Sequence, residues 1–153
     1  MSKAELTFEI RPLVADDNSA WRGLWADYLE FYDTTVPEAV YASTFARLIG
    51  DDPQDFNCLL AISNDRPVGL AHYLSHRNNW KIENTCYLQD LYVDPTLRGS
   101  GIGRALIEAV YAQCDAAGVT TVHWMTHETN TTARQLYDRI GNKTPFIQYV
   151  RQT

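Results

Sequence analysis

A glycine-rich turn between a predicted strand and a predicted helix is the feature that most constrains this chain. Three glycines alternate with other residues in Arg98-Gly99-Ser100-Gly101-Ile102-Gly103-Arg104. Glycines at this spacing let the backbone turn tightly, and they admit an anion to the main-chain N–H groups at the positive end of a helix. Arg98 and Arg104 flank the turn and add charge-assisted donors for the same anion. The segment therefore predicts a phosphate or pyrophosphate site.

The spacing of these glycines excludes two common phosphate-binding motifs. A dinucleotide-binding G-x-G-x-x-G motif needs its third glycine where Arg104 stands. A P-loop needs a Gly-Lys pair, and the chain has none. A tight strand-to-helix loop without a ligand stays open as the alternative for the turn alone.

Hydrophobic periodicity predicts a defined order of strands and helices around the turn. Alternating or β-branched runs predict strands over residues 6–13, 56–63, 67–75, 85–93, 119–126 and 146–150. Apolar residues at helical spacing predict one helix from the caps at 16–18 to residue 32, and others over 37–50, 102–117 and 131–140. The order βααβββαβαβ indicates an α/β (α+β) fold with a mixed sheet, in a single domain over residues 1–153.

The turn and three other segments resemble the GNAT superfamily of N-acetyltransferases. Arg98, Gly101 and Gly103 meet the pattern Arg/Gln-x-x-Gly-x-Gly/Ala, with which that family binds the pyrophosphate of acetyl-CoA. Residues 10–12 resemble the family's first-strand opening, and residues 88–93 resemble its fourth strand. Residues 130–137 resemble its N-x-x-A-x-x-x-Y helix start. The resemblance implies a mostly antiparallel sheet flanked by helices, and acetyl-CoA as co-substrate without a metal.

The resemblance also implies which residues hold acetyl-CoA. The end of the fourth strand lies beside the pantetheine arm in the family, the turn binds the pyrophosphate, and the start of the last helix completes the site. These positions are Leu91, Tyr92, Val93, Arg98, Gly99, Ser100, Gly101, Ile102, Gly103, Arg104, Asn130, Ala133 and Tyr137.

Two segments resemble narrower branches of the family. Residues 87–93 resemble the fourth strand of diamine acetyltransferases, which carry a glutamate where Gln89 stands. Residues 123–145 resemble the fungal histone-and-polyamine acetyltransferases, a branch that includes an acetylator of D-amino acids. The implied activity is direct acetyl transfer to the primary amine of a small cationic molecule, such as a polyamine or an amino acid. Two alternatives stay open: acetylation of a protein or histone lysine, and an acyl-CoA-binding module without turnover.

Direct transfer needs a proton donor and a base but no enzyme nucleophile. Tyr137 is the donor that the resemblance implies, because a tyrosine with a pKa of about 10 is protonated at neutral pH and hydrogen-bonds to or protonates a thiolate. Asp90 is the carboxylate nearest to the motif and the candidate base. Glu128 and an ordered water are the alternatives for the base. A core tyrosine and a buried strand anchor are the structural alternatives for Tyr137 and Asp90.

Strand alternation separates the candidate base from Gln89. It predicts one face with Tyr87, Gln89 and Leu91 and the opposite face with Leu88, Asp90 and Tyr92. Only one of these faces can line an active cleft.

The first two helices wall the acceptor pocket in the family. Glu30, Phe31 and Tyr32, followed by Asp33, end the first predicted helix, so they and Gln89 are the candidate substrate-binding residues. Residues 1–55 carry eleven acidic and four basic side chains, which adds a surface that attracts cations. A solvated acidic helix face, with the aromatic side chains in the core, is the alternative interpretation.

Composition excludes several other classes of function. A net charge of −6 argues against a nucleic-acid partner, and the chain has no apolar run long enough for a membrane span. His72 with His76, and His123 with His127, are four residues apart but lack a third ligand, so we expect no metal site. Three widely spaced cysteines predict that the protein resides in a reducing cytoplasm.

The apolar strand predicted over 146–150 would leave an open sheet edge, from which we predict a homodimer with residues 144–152 at the interface.

Overall fold

The computed structural model describes residues 6–152, and within this range the chain forms five strands and four α-helices. Short 3₁₀ turns at Ala15–Asp17 and Pro95–Leu97 precede α1 and α3. The strands are β1 Glu9–Pro12, β2 Asn57–Ser63, β3 Arg66–His76, β4 Thr85–Val93 and β5 Thr121–His123. The helices are α1 Asn18–Phe31, α2 Glu38–Leu48, α3 Ile102–Ala116 and α4 Thr131–Ile140.

The strands form one mixed sheet in the order β1-β2-β3-β4-β5. Neighbouring strands are antiparallel from β1 to β4, and β5 lies parallel to β4. The β2–β3 hairpin closes at Asn64 and Asp65, whose φ angles of 50° and 58° are those of a primed two-residue turn. Because a parallel neighbour needs a crossover, the chain passes from β4 through the glycine turn and α3 before it reaches β5. The turn therefore stands at the end of β4.

Apolar side chains form a core on each face of the sheet. On one face α1 and α2 pack against the strands, and Trp21, Leu60 and Leu70 are fully buried there. On the other face α3 supplies Leu106 and Val110, and α4 packs beside it with partly buried side chains. Both cores follow from the helical spacing of apolar residues along the helices that cover them.

An ion pair joins β1 to the start of α1. Both terminal nitrogens of Arg11 donate to the carboxylate of Asp17, at 2.8 and 2.9 Å, and the N–H of Val14 donates to it at 2.8 Å. The hydrogen bond from Arg11 lowers the pKa of Asp17 below its usual range, although burial of the carboxyl opposes the shift. This pair fixes the angle at which the chain leaves the sheet and enters α1.

The predicted fold class is confirmed: a mostly antiparallel sheet of five strands is flanked by four helices in the described part of the chain. The predicted bounds of β4 and α4 match the observed ones. Two strands are shorter than predicted, since β1 covers only Glu9–Pro12 and β5 only Thr121–His123. The predictions over 6–13 and 119–126 were too long because only residues with a paired neighbour belong to a strand.

The predicted last strand is wrong. Residues 142–152 form no strand, and the exposed fractions of Phe146, Ile147, Tyr149 and Val150 are 80%, 76%, 88% and 71%. The segment has the β-branched and aromatic composition typical of strands, but this composition forms a strand only against a backbone partner. Within the described chain this segment pairs with none of the five strands.

No helix between residues 6 and 152 has the length and apolar character needed to cross a membrane.

Candidate active site

A gap opens in the sheet where β4 and β5 part. Thr121–His123 pair with Thr85–Tyr87, and beyond these three residues β4 continues toward the glycine turn paired only with β3. The resulting narrow cleft receives side chains from α1 on one side and from α4 on the other. Its lining residues are Tyr28, Tyr32, Leu88, Gln89, Leu91, Trp124, Met125 and Tyr137.

A wide cavity of about 440 Å³ adjoins the narrow cleft, and Tyr32 lines both. The end of α1 forms one wall, and the segment between β5 and α4 forms the other. Tyr32 and His127 both line it, and the centroids of their rings are 5.4 Å apart. Glu30 is exposed and does not line the cavity. The lining residues are Phe31, Tyr32, Asp33, His127, Thr129 and Asn130.

Two glycines of the turn have backbone angles that other residues rarely adopt. Gly99 has φ +80° and Gly101 has φ +90°, and no atom lies within 4 Å of a Cβ built at either position. The space above both residues is therefore open to a ligand. Gly103 differs because it lies within α3, where a Cβ would meet Leu136 and Val93 at ordinary contact distances of 3.7 and 3.8 Å. The positive φ angles thus explain why the first two positions are glycine. The third position has neither a positive φ nor an unusually close contact.

The N-terminus of α3 presents free donors at this open turn. The first N–H groups of an α-helix have no acceptor within the helix, and in α3 these belong to Ile102, Gly103 and Arg104. The helix dipole adds positive potential at the same end. The side chain of Ile102 is buried in the core, so this residue contributes only its main chain. The geometry fits the binding of an anionic group.

The side chains beside the turn make contacts within the protein. The guanidinium of Arg98 lies over the rings of Phe31 and Tyr92, at 5.3 and 5.7 Å from their centroids, and its Nε donates to the carbonyl of Val93. Arg98 therefore links the turn to the end of α1. Arg104 forms an exposed pair with Glu108, one helical turn later. The hydroxyl of Ser100 donates to the carbonyl of Leu97.

The start of α4 brings two predicted residues to the cleft region. The side-chain oxygen of Asn130 caps α4 by accepting from the N–H of Ala133 at 3.4 Å, and Asn130 also lines the wide cavity. Tyr137 lies two turns later, edge-on to Trp124 with ring centroids 5.6 Å apart. Burial, and then the proximity of Tyr32, raise the pKa of Tyr137 above its usual value. The Tyr137 hydroxyl thus stays protonated over a wide pH range.

A β-bulge at Gln89 changes which residues share a face of β4. His72 pairs with Asp90 and Tyr73 with Leu88, so Gln89 has no partner on β3. The extra residue inverts the alternation. Leu88 consequently joins the core beneath α3, while Asp90 faces α1. The prediction that Leu88 shares a face with Asp90 is therefore wrong, because a bulge shifts the parity that the alternation assumes.

A buried hydrogen-bond network joins Asp90 to α1. The Nδ1 of His72 lies 2.8 Å from the Asp90 carboxylate, and the indole N–H of Trp21 donates to the Nε2 of His72 at 2.9 Å. Because an indole only donates, Nε2 is the acceptor, and the proton of a neutral imidazole is on Nδ1, facing Asp90. The side chains of His72 and Asp90 are 6% and 13% exposed. Asp90 is thus held in one orientation.

Tyr28 connects this network to the narrow cleft, and the sequence reasoning missed both Tyr28 and His72 as site residues. Burial raises the pKa of Tyr28, and the nearby charge of Asp90 raises it further. Tyr28 also lines the narrow cleft. Helical spacing placed Tyr28 on the apolar stripe of α1, but only the register of β3 against β4 brings His72 and Asp90 together.

The histidines are arranged differently from the predicted pairs. β5 ends at His123, so His127 lies in a loop beside the wide cavity instead of on the same strand face. The Nε2 atoms of His76 and His123 lie 3.3 Å apart. Between residues 6 and 152, no group of three or more His, Cys, Asp or Glu side chains is close enough to hold a metal ion.

The three cysteines are buried and unpaired. Burial is the main cause that raises the pKa of Cys58 and of Cys114, and it raises the pKa of Cys86 to about 12. A thiol with a raised pKa supplies little thiolate at neutral pH, and the thiolate is the nucleophile. The three buried thiols are therefore poorly suited to act as an enzyme nucleophile.

Solved structures of acetyltransferases share this arrangement of elements. The aminoglycoside N-acetyltransferase AAC(6')-Iy, solved with a CoA-containing bisubstrate analogue, superposes with a TM-score of 0.83 over 96% of this chain and 99% of its own, at 18% identity. A ribosomal-protein-alanine N-acetyltransferase from Brucella melitensis superposes with a TM-score of 0.77 over 96% of this chain and 100% of its own, at 20% identity. At these identities the likeness shows the fold.

Sequence comparison identifies the family. The model of the acetyltransferase (GNAT) family matches residues 19–141. The D-amino-acid N-acetyltransferase HPA3 of Saccharomyces cerevisiae is 36% identical over 93% of this chain and 89% of its own length. The thialysine N-epsilon-acetyltransferase of Bos taurus is 31% identical over 56% of this chain and 55% of its own. These matches, together with the shared fold, show that the chain belongs to the GNAT family of N-acetyltransferases.

Proposed function

We propose that this enzyme transfers an acetyl group from acetyl-CoA to the primary amine of a small cationic molecule, such as a polyamine or an amino acid. One observation carries the proposal. The narrow cleft receives the Tyr137 side chain from α4 and the Tyr28 side chain from α1, so a thioester and an amine that meet there contact both. Two curated relatives support the substrate class, because their names describe acetylation of D-amino acids and of thialysine.

The residues of the turn fit the anionic end of acetyl-CoA, which supplies the acetyl thioester. The open space above Gly99 and Gly101 admits a pyrophosphate, and the N–H groups at the start of α3 donate to it. Leu91 lines the narrow cleft, so with Tyr92 and Val93 it offers main-chain groups to the pantetheine arm. Asn130 and Ala133 complete this side of the site.

We assign the roles at the reacting atoms as follows. Tyr137 donates a hydrogen bond to the departing sulfur. Asp90 is the base that takes up the proton lost by the substrate ammonium group before attack. The acceptor occupies the wide cavity, where Phe31, Tyr32 and the carboxylate of Asp33 face it. Gln89 lines the narrow cleft next to Tyr137 and contacts the same substrate. Glu30 contributes through the acidic potential of the α1 end.

A panel of amines tests the function. With acetyl-CoA we expect thiol release with polyamines or amino acids, and we expect kcat/KM to fall as salt is raised, because salt screens the attraction of a cation to the acidic surface. Lysine peptides serve as the alternative acceptors. Preference for a peptide, or for neutral amines with no salt dependence, would contradict the small cationic substrate. Binding of acetyl-CoA without release of thiol by any amine would indicate a module without turnover.

Replacing Gly101 tests the acetyl-CoA site. In Gly101→Val the φ of +90° is strained, so we expect the turn to move and the affinity for acetyl-CoA to fall about tenfold or more, while the KM for the amine changes little. Calorimetry measures the affinity. Gly118→Val is the matched control, because Gly118 has φ +72° and open space around it but lies at the other end of α3. An equal loss of affinity in both variants would refute the assignment.

Replacing Tyr137 tests the proton donor. Tyr137→Phe keeps the ring that packs against Trp124 but removes the hydroxyl, so we expect kcat to fall about 10²- to 10⁴-fold with unchanged acetyl-CoA affinity. Tyr111→Phe is the control, since it removes a partly buried tyrosine hydrogen bond to the carbonyl of Ile140 outside the cleft. Turnover of Tyr137→Phe within twofold of wild type would make Tyr137 a packing residue.

We also propose that the enzyme is a homodimer and that residues 144–152 form its interface. Four large apolar side chains of this segment are exposed in the described chain, and large exposed apolar patches mark interaction sites. Their strand-like composition pairs with a second copy across a two-fold axis. The single domain over residues 1–153 and the cytoplasmic location remain proposals of the same kind.

Light scattering tests the dimer. We expect the full chain to scatter as a dimer at micromolar concentration, and a chain that ends at Lys143 to scatter as a monomer. Ile147→Asp should give the same result because it buries a charge at the interface. The control is Ile82→Asp, at a residue that is 94% exposed and lies on the loop before β4. A monomeric full chain would refute the dimer, and an unaffected truncated dimer would move the interface elsewhere.

A further inference from the structure

The network of Trp21, His72, Asp90 and Tyr28 runs from the core beneath α1 to the narrow cleft. In it, the hydrogen-bond donors and acceptors have a fixed order. Trp21 donates to Nε2 of His72, and Nδ1 of His72 donates to Asp90. The Asp90 carboxylate also lies near enough to Tyr28 for its charge to raise the pKa of that hydroxyl. Both hydrogen bonds in this order run toward Asp90.

The packing around His72 holds the imidazole in this orientation. The ring lies 6.0 Å from the ring of Trp21 and 5.7 Å from that of Trp25, measured between centroids, and His72 is 5% exposed. A flipped ring would put a carbon where Nδ1 now donates a hydrogen bond to Asp90, and it would leave the indole N–H of Trp21 unpaired. Buried unpaired donors are costly, so the two contacts select one tautomer and one ring orientation.

We propose that His72 is a positioning residue for acetyl transfer, holding the Asp90 carboxylate as the terminal proton acceptor of the cleft while Trp21 fixes the histidine tautomer. This proposal rests on the proposed N-acetyltransferase function. In the step it supports, the ammonium group of the substrate gives a proton to the Tyr28 oxygen, and the Tyr28 O–H proton passes to Asp90. Asp90 becomes a neutral carboxylic acid and later releases that proton to solvent. The neutral amine keeps its electron pair for attack.

Tyr28 carries the proton because of where its hydroxyl lies. It lines the narrow cleft, whereas the side chain of Asp90 is largely buried and does not line it. The pKa of Tyr28 is raised, so it neither starts nor remains as a phenolate. It accepts a proton on one lone pair while its own proton leaves on the other side. His72 needs no change of protonation state in this step.

Two amide variants separate the two hydrogen bonds of His72. In His72→Asn the amide nitrogen occupies the place of Nδ1, which keeps the donor to Asp90 and loses the acceptor for Trp21. In His72→Gln the amide oxygen reaches the place of Nε2, which keeps the acceptor and loses the donor. We expect His72→Asn to stay within about threefold of the wild-type kcat, and we expect His72→Gln to lose about 10- to 100-fold as part of an acid–base contribution.

The pH dependence gives a readout that a purely structural role would not change. Loss of a hydrogen bond to a carboxylate favours its neutral form, so the acidic limb of kcat against pH should move to higher pH in His72→Gln. It should not move in His72→Asn. The other groups near Asp90 are unchanged in both variants: Tyr28 on α1, Tyr87 on β4 and Cys58 on β2.

Two further measurements test the histidine tautomer and the part played by Tyr28. Nitrogen NMR of the wild-type protein should show His72 with a proton on Nδ1 and none on Nε2, and Trp21→Phe should add the second tautomer. Tyr28→Phe should lower kcat as His72→Gln does, whereas Tyr41→Phe, which changes a ring packed on Trp21 and Trp25, should not. Thermal melting and acetyl-CoA calorimetry establish that each variant is folded.

The outcomes separate this proposal from the proposed function. An active wild type whose His72→Gln variant is folded and keeps kcat within threefold overturns the role of His72 alone. So does an NMR spectrum with the proton on Nε2, or an equal loss of kcat in the Asn and Gln variants with no shift of the acidic limb. A wild type that acetylates no amine overturns the proposed function and this proposal together.

Discussion

The close contact of α3 with the sheet sets the geometry of the whole site. At Gly69 in β3, a Cβ would lie 3.0 Å from the carbonyl oxygen of Tyr92 and 3.2 and 3.3 Å from the side chains of Leu106 and Ile102. Ile102 begins α3, and Tyr92 stands one residue before the end of β4. The missing side chain at Gly69 therefore lets the N-terminus of α3 lie close to the end of β4. A larger residue would push α3, with its N–H groups, away from the cleft.

The bulge in β4 decides which chemistry each face of the sheet offers. Without Gln89 as an unpaired residue, the side chains on either side of it would keep strict alternation, and Leu88 and Asp90 would share a face. With it, Leu88 packs beneath α3, and the carboxylate of Asp90 turns toward His72 and the aromatic side chains of α1. The bulge thus places the carboxylate of β4 beside the imidazole of His72.

Features that depend on a short window of sequence were predictable, and features that depend on long-range pairing were not. The glycine turn and the bounds of α4 follow from local spacing, and the family resemblance led us to expect Phe31 and Tyr32 at a pocket, where both line the wide cavity. The bulge and the contact of His72 with Asp90 depend on the register between β3 and β4, which the sequence alone does not reveal. The last predicted strand failed for a related reason, since its composition fits a strand but the chain provides no partner.

In the proposed reaction, the gap between β4 and β5 allows different groups to handle the two protons. The substrate ammonium group loses two protons overall when it becomes an amide. One proton is needed to convert the departing thiolate into a thiol. A single group that both took and gave these protons would have to change its charge between attack and departure. Here Tyr137 comes from the α4 side and keeps its proton because burial raises its pKa, while Asp90 on the α1 side accepts one hydrogen bond from His72. A continuous sheet would separate the side covered by α1 from the side covered by α4. Because the β4–β5 pairing ends early, one substrate in the narrow cleft can contact Tyr28 from α1 and Tyr137 from α4.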